Sequence, residues 1–232
     1  MNYLKALSAL SNPRYWRAIR NGVIPTLEHR PPLGHLNPGT VIDIGANKGQ
    51  FSTFATRMWP SAKVYAFEPL PGPIKTLRKV LGDDVELRTV ALGDTKSELD
   101  IHIASRADSS SLLPLGSKQK DLFNMDEVGT LLVPVERLDT EIKESDLIGP
   151  VLVKIDVQGY EYQALKGATG ILPSIDFIYV EASFQELYEG QDLFPAVDEL
   201  LTENGFIQSG QFNPAKDDNG ALIQADILYR RA

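Results

Sequence analysis

Four acidic residues fall where predicted strands run out. They are Asp43 in "VIDIGANKGQF", Glu68 in "KVYAFEP", Asp156 in "VKIDVQGYE" and Glu181 in "IDFIYVEAS". The carboxyl ends of parallel strands share one edge of a sheet, where ligands bind. The first stretch has the form D-x-G-x-x-x-G between a predicted strand and a predicted helix. Gly45 and Gly49 would let backbone approach a ligand closely. Glu68 stands 25 residues after Asp43, a position suited to hydrogen-bonding a ribose diol. Helix capping would also account for both acids. Their order at successive strand ends favours a ligand.

The dinucleotide fingerprint G-x-G-x-x-G would need glycine where Asn47 stands. A pyrophosphate also prefers a helix N-terminus without an opposing carboxylate. Asp43 is better matched to an amino group and a positive sulfur. S-adenosylmethionine carries both, and a ribose for Glu68. Asp156 closes the fourth core strand, which adjoins the first at the topological switch point. A carboxylate there is placed to accept a hydroxyl proton or help hold a metal; its alternative is to cap the next helix. Gln158 is a substrate contact or a turn cap. Glu181 should lie along the same rim, touching substrate, supporting a base, or solvated at an edge. His102 in "DIHIA" reaches the crevice only if its hairpin folds over it, and an ordinary strand histidine is the favoured reading. Ser109, Ser110 and Ser111 are turn residues or lid donors.

The elements that must position these residues alternate. "TVIDIG", "KVYAFEP", "VELRTVALG", "VLVKIDVQG" and "IDFIYVEAS" read as strands. "QFSTFATRMWP", "GPIKTLRKVLG", "YEYQALKGATGIL" and "LFPAVDELLTENG" read as helices, with proline and glycine at the expected boundaries. Strands separated by helices predict an α/β, doubly wound, mostly parallel sheet covered on both faces. "SELDIHIA" and "TLLVPVERLD" read as an inserted antiparallel pair, joined by the long polar loop "SRADSSSLLPLGSKQKD". "FIQSGQF" and "ADILYRR" form an antiparallel terminal pair. Residues 3 to 20 suggest two short helices broken at Pro13, followed by the linker "HRPPLGHLNPGT". The division is thus an N-terminal helical extension and linker, 1–39, and a main domain, 40–232.

Composition narrows the chemistry. Cysteine is absent, so thiolate chemistry is excluded. The three histidines lack the spacing of a helical zinc site. A metal site would rest on carboxylates, favouring Mg²⁺ or Ca²⁺. The net charge of −8 argues against general nucleic-acid binding. Residues 1 to 30 carry five basic residues against Glu28 alone. That segment is read as a solvated helix, with weak contact to an anionic membrane as its second use. No apolar run approaches the roughly 18 residues of a membrane span. "MNYLKALSALSNP" lacks a secretory core, so the expected location is cytoplasmic.

The order "VIDIGANKGQFS", "VYAFEPLP", "VALGD", "SSSLLP", "LDT", "VKIDVQGYEYQALKGA" and "ADILYRR" resembles the FkbM family of S-adenosylmethionine-dependent methyltransferases. The resemblance covers residues 40 to 231. It implies a class I methyltransferase, Rossmann-like sheet of seven strands in the order 3-2-1-4-5-7-6, the last antiparallel. It implies O-methylation of a hydroxyl on a sugar, glycan or secondary metabolite. It implies that Asp43, Gly45, Ala46, Asn47 and Gly49 line the methionine end of the cofactor, Glu68 holds the ribose, Ala91 and Leu92 lie near adenine, and Asp156 sits beside the transferred methyl. Many relatives have Glu where Gln158 stands, which weakens any metal or second-base role there. Asp156 is the first candidate base, ahead of Glu181 and His102; Ser110 and Gln158 are candidate substrate contacts. Residues 1–39 would cover the acceptor side or join two copies of the chain. The rival readings are an NAD-dependent oxidoreductase and a catalytically silent methyltransferase-like binding module.

Overall fold

The strand that carries Asp43 is buried at all five residues, Thr40–Ile44, as a strand covered on both faces should be. The computed structural model describes residues 12–232. The strands are β1 (Thr40–Ile44), β2 (Lys63–Phe67), β3 (Glu86–Arg88), β4 (Ala91–Leu92), β5 (Ser97–Ala104), β6 (Glu127–Glu136), β7 (Val151–Ile155), β8 (Phe177–Ser183), β9 (Phe206–Lys216) and β10 (Leu222–Arg231). Seven of them form one sheet in the order β3-β2-β1-β7-β8-β10-β9. The first five are mutually parallel, and β10 runs antiparallel to both β8 and β9. With β4, β5 and β6 set aside, this is the implied 3-2-1-4-5-7-6 order.

The helices are α1 (Trp16–Arg20), α2 (Arg30–Leu33), α3 (Gln50–Met58), α4 (Pro71–Leu81), α5 (Ser117–Phe123), α6 (Leu138–Glu141), α7 (Glu161–Lys166) and α8 (Phe194–Glu203). Side chains alternate across each strand, so the two sheet faces can be read residue by residue. Ile42, Ile44, Val153 and Ile155 pack beneath α7 and α8 with Leu165, Val197 and Leu201. Val41, Val64 and Leu152 pack on the other face with Phe51 and Phe54 of α3 and Leu77 and Leu81 of α4. Ala18, Val23, Leu33 and Leu36 join that second layer, so the described part of the extension shares the core. By the same alternation Asp43 and Lys154 lie on the second face, under α3.

Three segments depart from the sequence expectation. "VELRTVALG" is two strands: β3 stays in the large sheet, while β4 pairs in parallel with β6. The expected antiparallel pair is β5 with β6, and with β4 it makes a separate three-stranded sheet. The long polar loop carries a 3₁₀ turn at Ala107–Ser109 and the helix α5, ended by left-handed Asn124. The proline-rich linker contains α2, its prolines in the first turn, where the missing N–H costs nothing. The predicted helix at Leu4, Leu7 and Leu10 lies outside the described residues; the second begins as a 3₁₀ turn at Pro13 and continues as α1. No described helix is long and apolar enough to cross a membrane.

The turn after β1 is held where only glycine fits. Gly45 has φ +80°, and a Cβ there would sit 1.9 Å from the Asp156 carbonyl oxygen. The backbones of β1 and β7 can therefore close on each other, Asp156 N donating to Ile44 O at 3.1 Å. Gly45→Ala is expected to cost at least ~2 kcal/mol through backbone strain and this clash. A thermal melt tracked by circular dichroism measures the loss.

Candidate active site

A crevice of about 500 Å³ opens at the carboxyl ends of β1, β2, β7 and β8. That volume suits a small-molecule site. Its walls come from the Gly45–Ala46–Asn47 turn, Glu68 and Leu70 after β2, Val90 to Leu92, and Lys154, Asp156, Gln158 and Glu181. Ile101 of β5 and Ser109 to Leu112 close it from the inserted sheet, and Thr26, Glu28 and His29 from the N-terminal side.

Glu68 is almost fully buried. Its Oε2 accepts from Asn47 N at 2.9 Å and its Oε1 from Leu70 N at 2.8 Å. The carboxyl thus ties the β1 turn to the β2 turn. Each oxygen keeps a second acceptor site. Burial is the main force on its pKa, raising it to about 7 against the pull of the two amides. Asn47 itself is left-handed, φ 47°, a conformation asparagine tolerates.

Asp43 is fully buried and does not line the crevice. Ser52 Oγ donates to its Oδ2 at 2.6 Å, and Lys154 Nζ lies 3.6 Å from its Oδ1. Burial pushes its pKa up, opposed by Lys154 and Ser52. Lys154 is the β7 residue registered beside Asp43. Its Nζ also lies 3.3 Å from Asp156 Oδ2. Burial pulls the lysine's pKa down; Asp156, Asp43 and Glu181 outweigh it and raise it.

Beyond Lys154, Gln158 joins the two crevice carboxyls. Its Nε2 donates to Asp156 Oδ1 at 2.7 Å and to Glu181 Oε2 at 3.0 Å. Tyr188 OH fixes that amide by donating to Gln158 Oε1 at 2.7 Å. Gln158 sits at φ 56°, and Glu161 receives the amides of Val157 and Gly159 beside it. The network sets the two carboxyls apart. Burial opposes charge on Asp156, but Lys154 and Gln158 prevail and lower its pKa. Burial raises Glu181, and the charges of Asp156, Asp226 and Glu161 add to the effect. The two neighbouring carboxyls are pushed in opposite directions, Asp156 down and Glu181 up, the pattern that separates acid from base.

The remaining candidates divide cleanly. Gly45, Ala46, Asn47, Glu68, Ala91, Leu92, Ser110, Asp156, Gln158 and Glu181 share the crevice. Glu181 lies within β8 rather than at its end. Gly49 starts α3 behind the wall, left-handed at φ +88°. His102 faces away: the hairpin does fold over the crevice, but Ile101 lines it and the period-2 alternation turns His102 outward, its Nδ1 2.9 Å from Glu127. Ser110 Oγ accepts from Ala104 N at 3.2 Å, pinning the lid strand to its loop. Among the described residues no three His, Asp or Glu side chains converge as a metal ion requires.

Residues 43–207 match the Methyltransferase FkbM domain model. The chain belongs to the FkbM methyltransferase family. It is 32% identical over 192 residues to 2-O-methyltransferase NoeI of Sinorhizobium fredii, spanning 79% of this chain and 76% of that one. It is 28% identical over 139 residues to hexuronic acid methyltransferase AglP of Haloferax volcanii, spanning 60% and 54%. Among solved structures, Streptococcus pneumoniae Sp1610 in complex with S-adenosyl-L-methionine superposes with a TM-score of 0.51 at 9% identity, covering 89% of this chain and 72% of that one. That likeness shows the fold, the Rossmann-like sheet of class I methyltransferases.

In this FkbM methyltransferase, sequence reasoning missed Lys154, Tyr188 and His29. Lys154 left a readable sign, a lysine inside the apolar run "VLVKI" next to a strand with a buried acid. Tyr188 and His29 arrive from segments without periodic pattern. Lys154→Met should cost roughly 3–5 kcal/mol, because it leaves Asp43 buried and unpaired. Urea denaturation should show Asp43→Asn/Lys154→Met recovering a large part of that loss.

Proposed function

We propose that this chain transfers a methyl group from S-adenosylmethionine to a hydroxyl oxygen of a sugar, glycan or secondary metabolite. The observation that carries the reading is Glu68: a buried carboxylate at the end of β2, tied to the β1 turn, with one acceptor site left on each oxygen for a ribose diol. The rest of the crevice fits the same ligand. The Val90–Ala91–Leu92 shelf suits adenine, and the Gly45–Ala46–Asn47 turn suits the methionine end. Asp43 would act on that end at one remove, through Lys154, rather than by contact. Two relatives, by name a 2-O-methyltransferase and a hexuronic acid methyltransferase, support an oxygen acceptor and a sugar-like one.

The bound cofactor supplies a methyl already activated by its sulfonium. The chain must hold an acceptor oxygen in line with it and keep water away. Orientation of this kind contributes up to about 7–11 kcal/mol in model systems. Asp156 is ionised and can accept a hydrogen bond from the acceptor hydroxyl. Glu181, whose pKa burial raises, can donate one to a neighbouring oxygen when protonated. Phe51, Phe67, Leu92 and Ile101 supply the apolar walls.

Glu68→Gln should weaken S-adenosylhomocysteine binding about tenfold or more in a calorimetric titration. The wild-type chain should bind it roughly tenfold more weakly at pH 6 than at pH 8. The raised Glu68 carboxyl is protonated below about 7, and only its ionised form accepts both ribose hydroxyls. Glu68→Gln should flatten that profile. Asp156→Asn should lower turnover on a panel of methyl glycosides about 10²-fold or more while S-adenosylhomocysteine affinity stays within a few-fold. Equal losses in both would make Asp156 a cofactor contact.

A further inference from the structure

The helix α5 is turned the wrong way round for a helix that only packs. A surface helix buries apolar side chains and exposes polar ones. Among the seven residues of α5 the buried one is Gln119, 3% exposed, while Leu122 is 44% exposed. Lys118 and Lys120 on either side of Gln119 are exposed. Gln119 and Phe123, one turn further on, line the crevice. Gln119 Oε1 is buried and has no hydrogen-bond partner among the described residues. A leucine or methionine there would avoid the penalty of desolvating a carbonyl that then bonds to nothing.

The chain fixes α5 at both ends. Leu115 forms a β-bridge with Tyr188, and Gly116 N donates to Leu187 O at 2.9 Å. A Cβ on Gly116 would sit 2.6 Å from that same Leu187 oxygen, so the close approach requires glycine. At the other end Met125 enters a small apolar core with Leu115, Leu187 and Tyr188. Gln119 is thereby held beside Tyr188. Burial raises the Tyr188 phenol, and the Gln119 amide, bonding to it, works the other way. Tyr188 OH in turn meets Gln158 Oε1 at 2.7 Å, and Gln158 bonds both Asp156 and Glu181. Gln119 thus belongs to the side of the crevice that holds those two acids. The last torsion of a glutamine is broad, so its carbonyl can swing to meet a ligand while α5 stays in place.

We propose that Gln119 is a specificity-determining residue for the acceptor, its carbonyl accepting a hydrogen bond from a second hydroxyl, other than the one methylated. The proposal rests on the hydroxyl-methylation reading above and narrows it to a polyhydroxylated acceptor, a sugar rather than a lone alcohol or phenol. An acceptor with one hydroxyl leaves the Gln119 carbonyl unpaired, and a site made to bond a hydroxyl rejects an analogue that lacks it. Two more crevice atoms, Thr26 Oγ1 and Gln50 Oε1, are buried without partners among the described residues. The walls therefore call for a ligand rich in donors.

The test pairs enzyme variants with acceptor variants. It uses the full chain, S-adenosylmethionine, methyl glycosides of hexoses and uronic acids, and simple alcohols and phenols. On the best glycoside, each hydroxyl other than the methylated one is replaced in turn by hydrogen or fluorine. With the wild-type chain one deoxy position should lose about tenfold or more in kcat/KM, and its fluoro analogue, which cannot donate, should lose as much. Gln119→Leu should lose about tenfold on the parent glycoside, mostly in KM, and little on that deoxy analogue. Its melting temperature should not fall, because an unpaired buried carbonyl has been removed, and its S-adenosylhomocysteine affinity should stay within about threefold of wild type. Gln119→Glu keeps an acceptor oxygen and should keep the preference for the same hydroxyl. Additive losses in the Gln119→Leu and deoxy pair, or a fluoro analogue as good as the parent, would overturn the proposal. A lowered melting temperature with unchanged acceptor kinetics would overturn it too and make Gln119 a packing residue. The deoxy and fluoro series on the wild-type chain needs no variant to fold, and equal tolerance at every position also overturns the proposal. Methylation of simple alcohols or phenols in preference to glycosides would overturn it and leave the methyl-transfer reading standing. A wild-type chain that binds no S-adenosylhomocysteine would strike the methyl-transfer reading itself, and the role of Gln119 with it.

Discussion

A single ammonium group, Lys154 Nζ, holds the centre of this molecule together. It lies between the carboxylates of Asp43 and Asp156, 3.6 and 3.3 Å away, at a nearly sealed position. Burying a lysine against an acid is expensive, and an apolar core of the same shape would often be as stable. The triad is therefore better explained by what it positions. Asp43 and Lys154 sit opposite each other in the β1–β7 register, so the pair fixes the junction where the sheet changes direction. Lys154 then reaches one strand end further and keeps Asp156 ionised in the crevice. Structural and chemical roles meet in one side chain.

From that charge the rest of the site follows in sequence. Burial, with the charge of Asp156 beside it, raises the pKa of Glu181. Gln158 can serve both because an amide NH₂ donates twice, once to each carboxyl. A glutamate there would set another acid beside Asp156 and Glu181 and could not donate to both. The left-handed backbone at Gln158 is the local cost of aiming that amide, and Tyr188 and Glu161 hold it in place.

The sequence made the scaffold legible because its signals are local. Apolar runs of strand length, proline at helix starts and glycine at helix ends yielded the alternating order, and the resemblance supplied the strand permutation. The crevice acids Glu68 and Asp156 were legible because strand ends of a parallel sheet share an edge; Glu181 shares the crevice from within β8. Asp43 was legible as an anomaly and read as lining the methionine end; its place behind the wall was not legible, because its neighbour Lys154 in the adjacent strand is 111 positions away in the chain. His102 keeps its favoured reading as an ordinary strand histidine: the hairpin folds over the crevice, but period-2 alternation puts Ile101 on the crevice side instead. The splitting of "VELRTVALG" turned on a partner, β6, that local pattern cannot name. His29 stood in a proline-rich stretch whose composition says only that regular structure is interrupted.

The crevice therefore has two origins. The sheet edge provides the half that suits a nucleoside: the Gly45 turn, Glu68 and the Val90–Leu92 shelf. Its other half comes from additions to the sheet, the turn at Thr26 to His29 and the inserted residues from Ile101 to Met125. Those additions are tied back to the core by side chains: Tyr188 OH lies 3.0 Å from the Ser109 carbonyl, sharing its one proton with Gln158, and His29 meets Tyr179. A ligand common to many methyltransferases can be served by a fixed edge. An acceptor that differs from one enzyme to the next needs parts that vary without disturbing the sheet. Selectivity for the acceptor should then reside in the two additions, and the Lys154 triad is what lets them change while Asp156 stays in place.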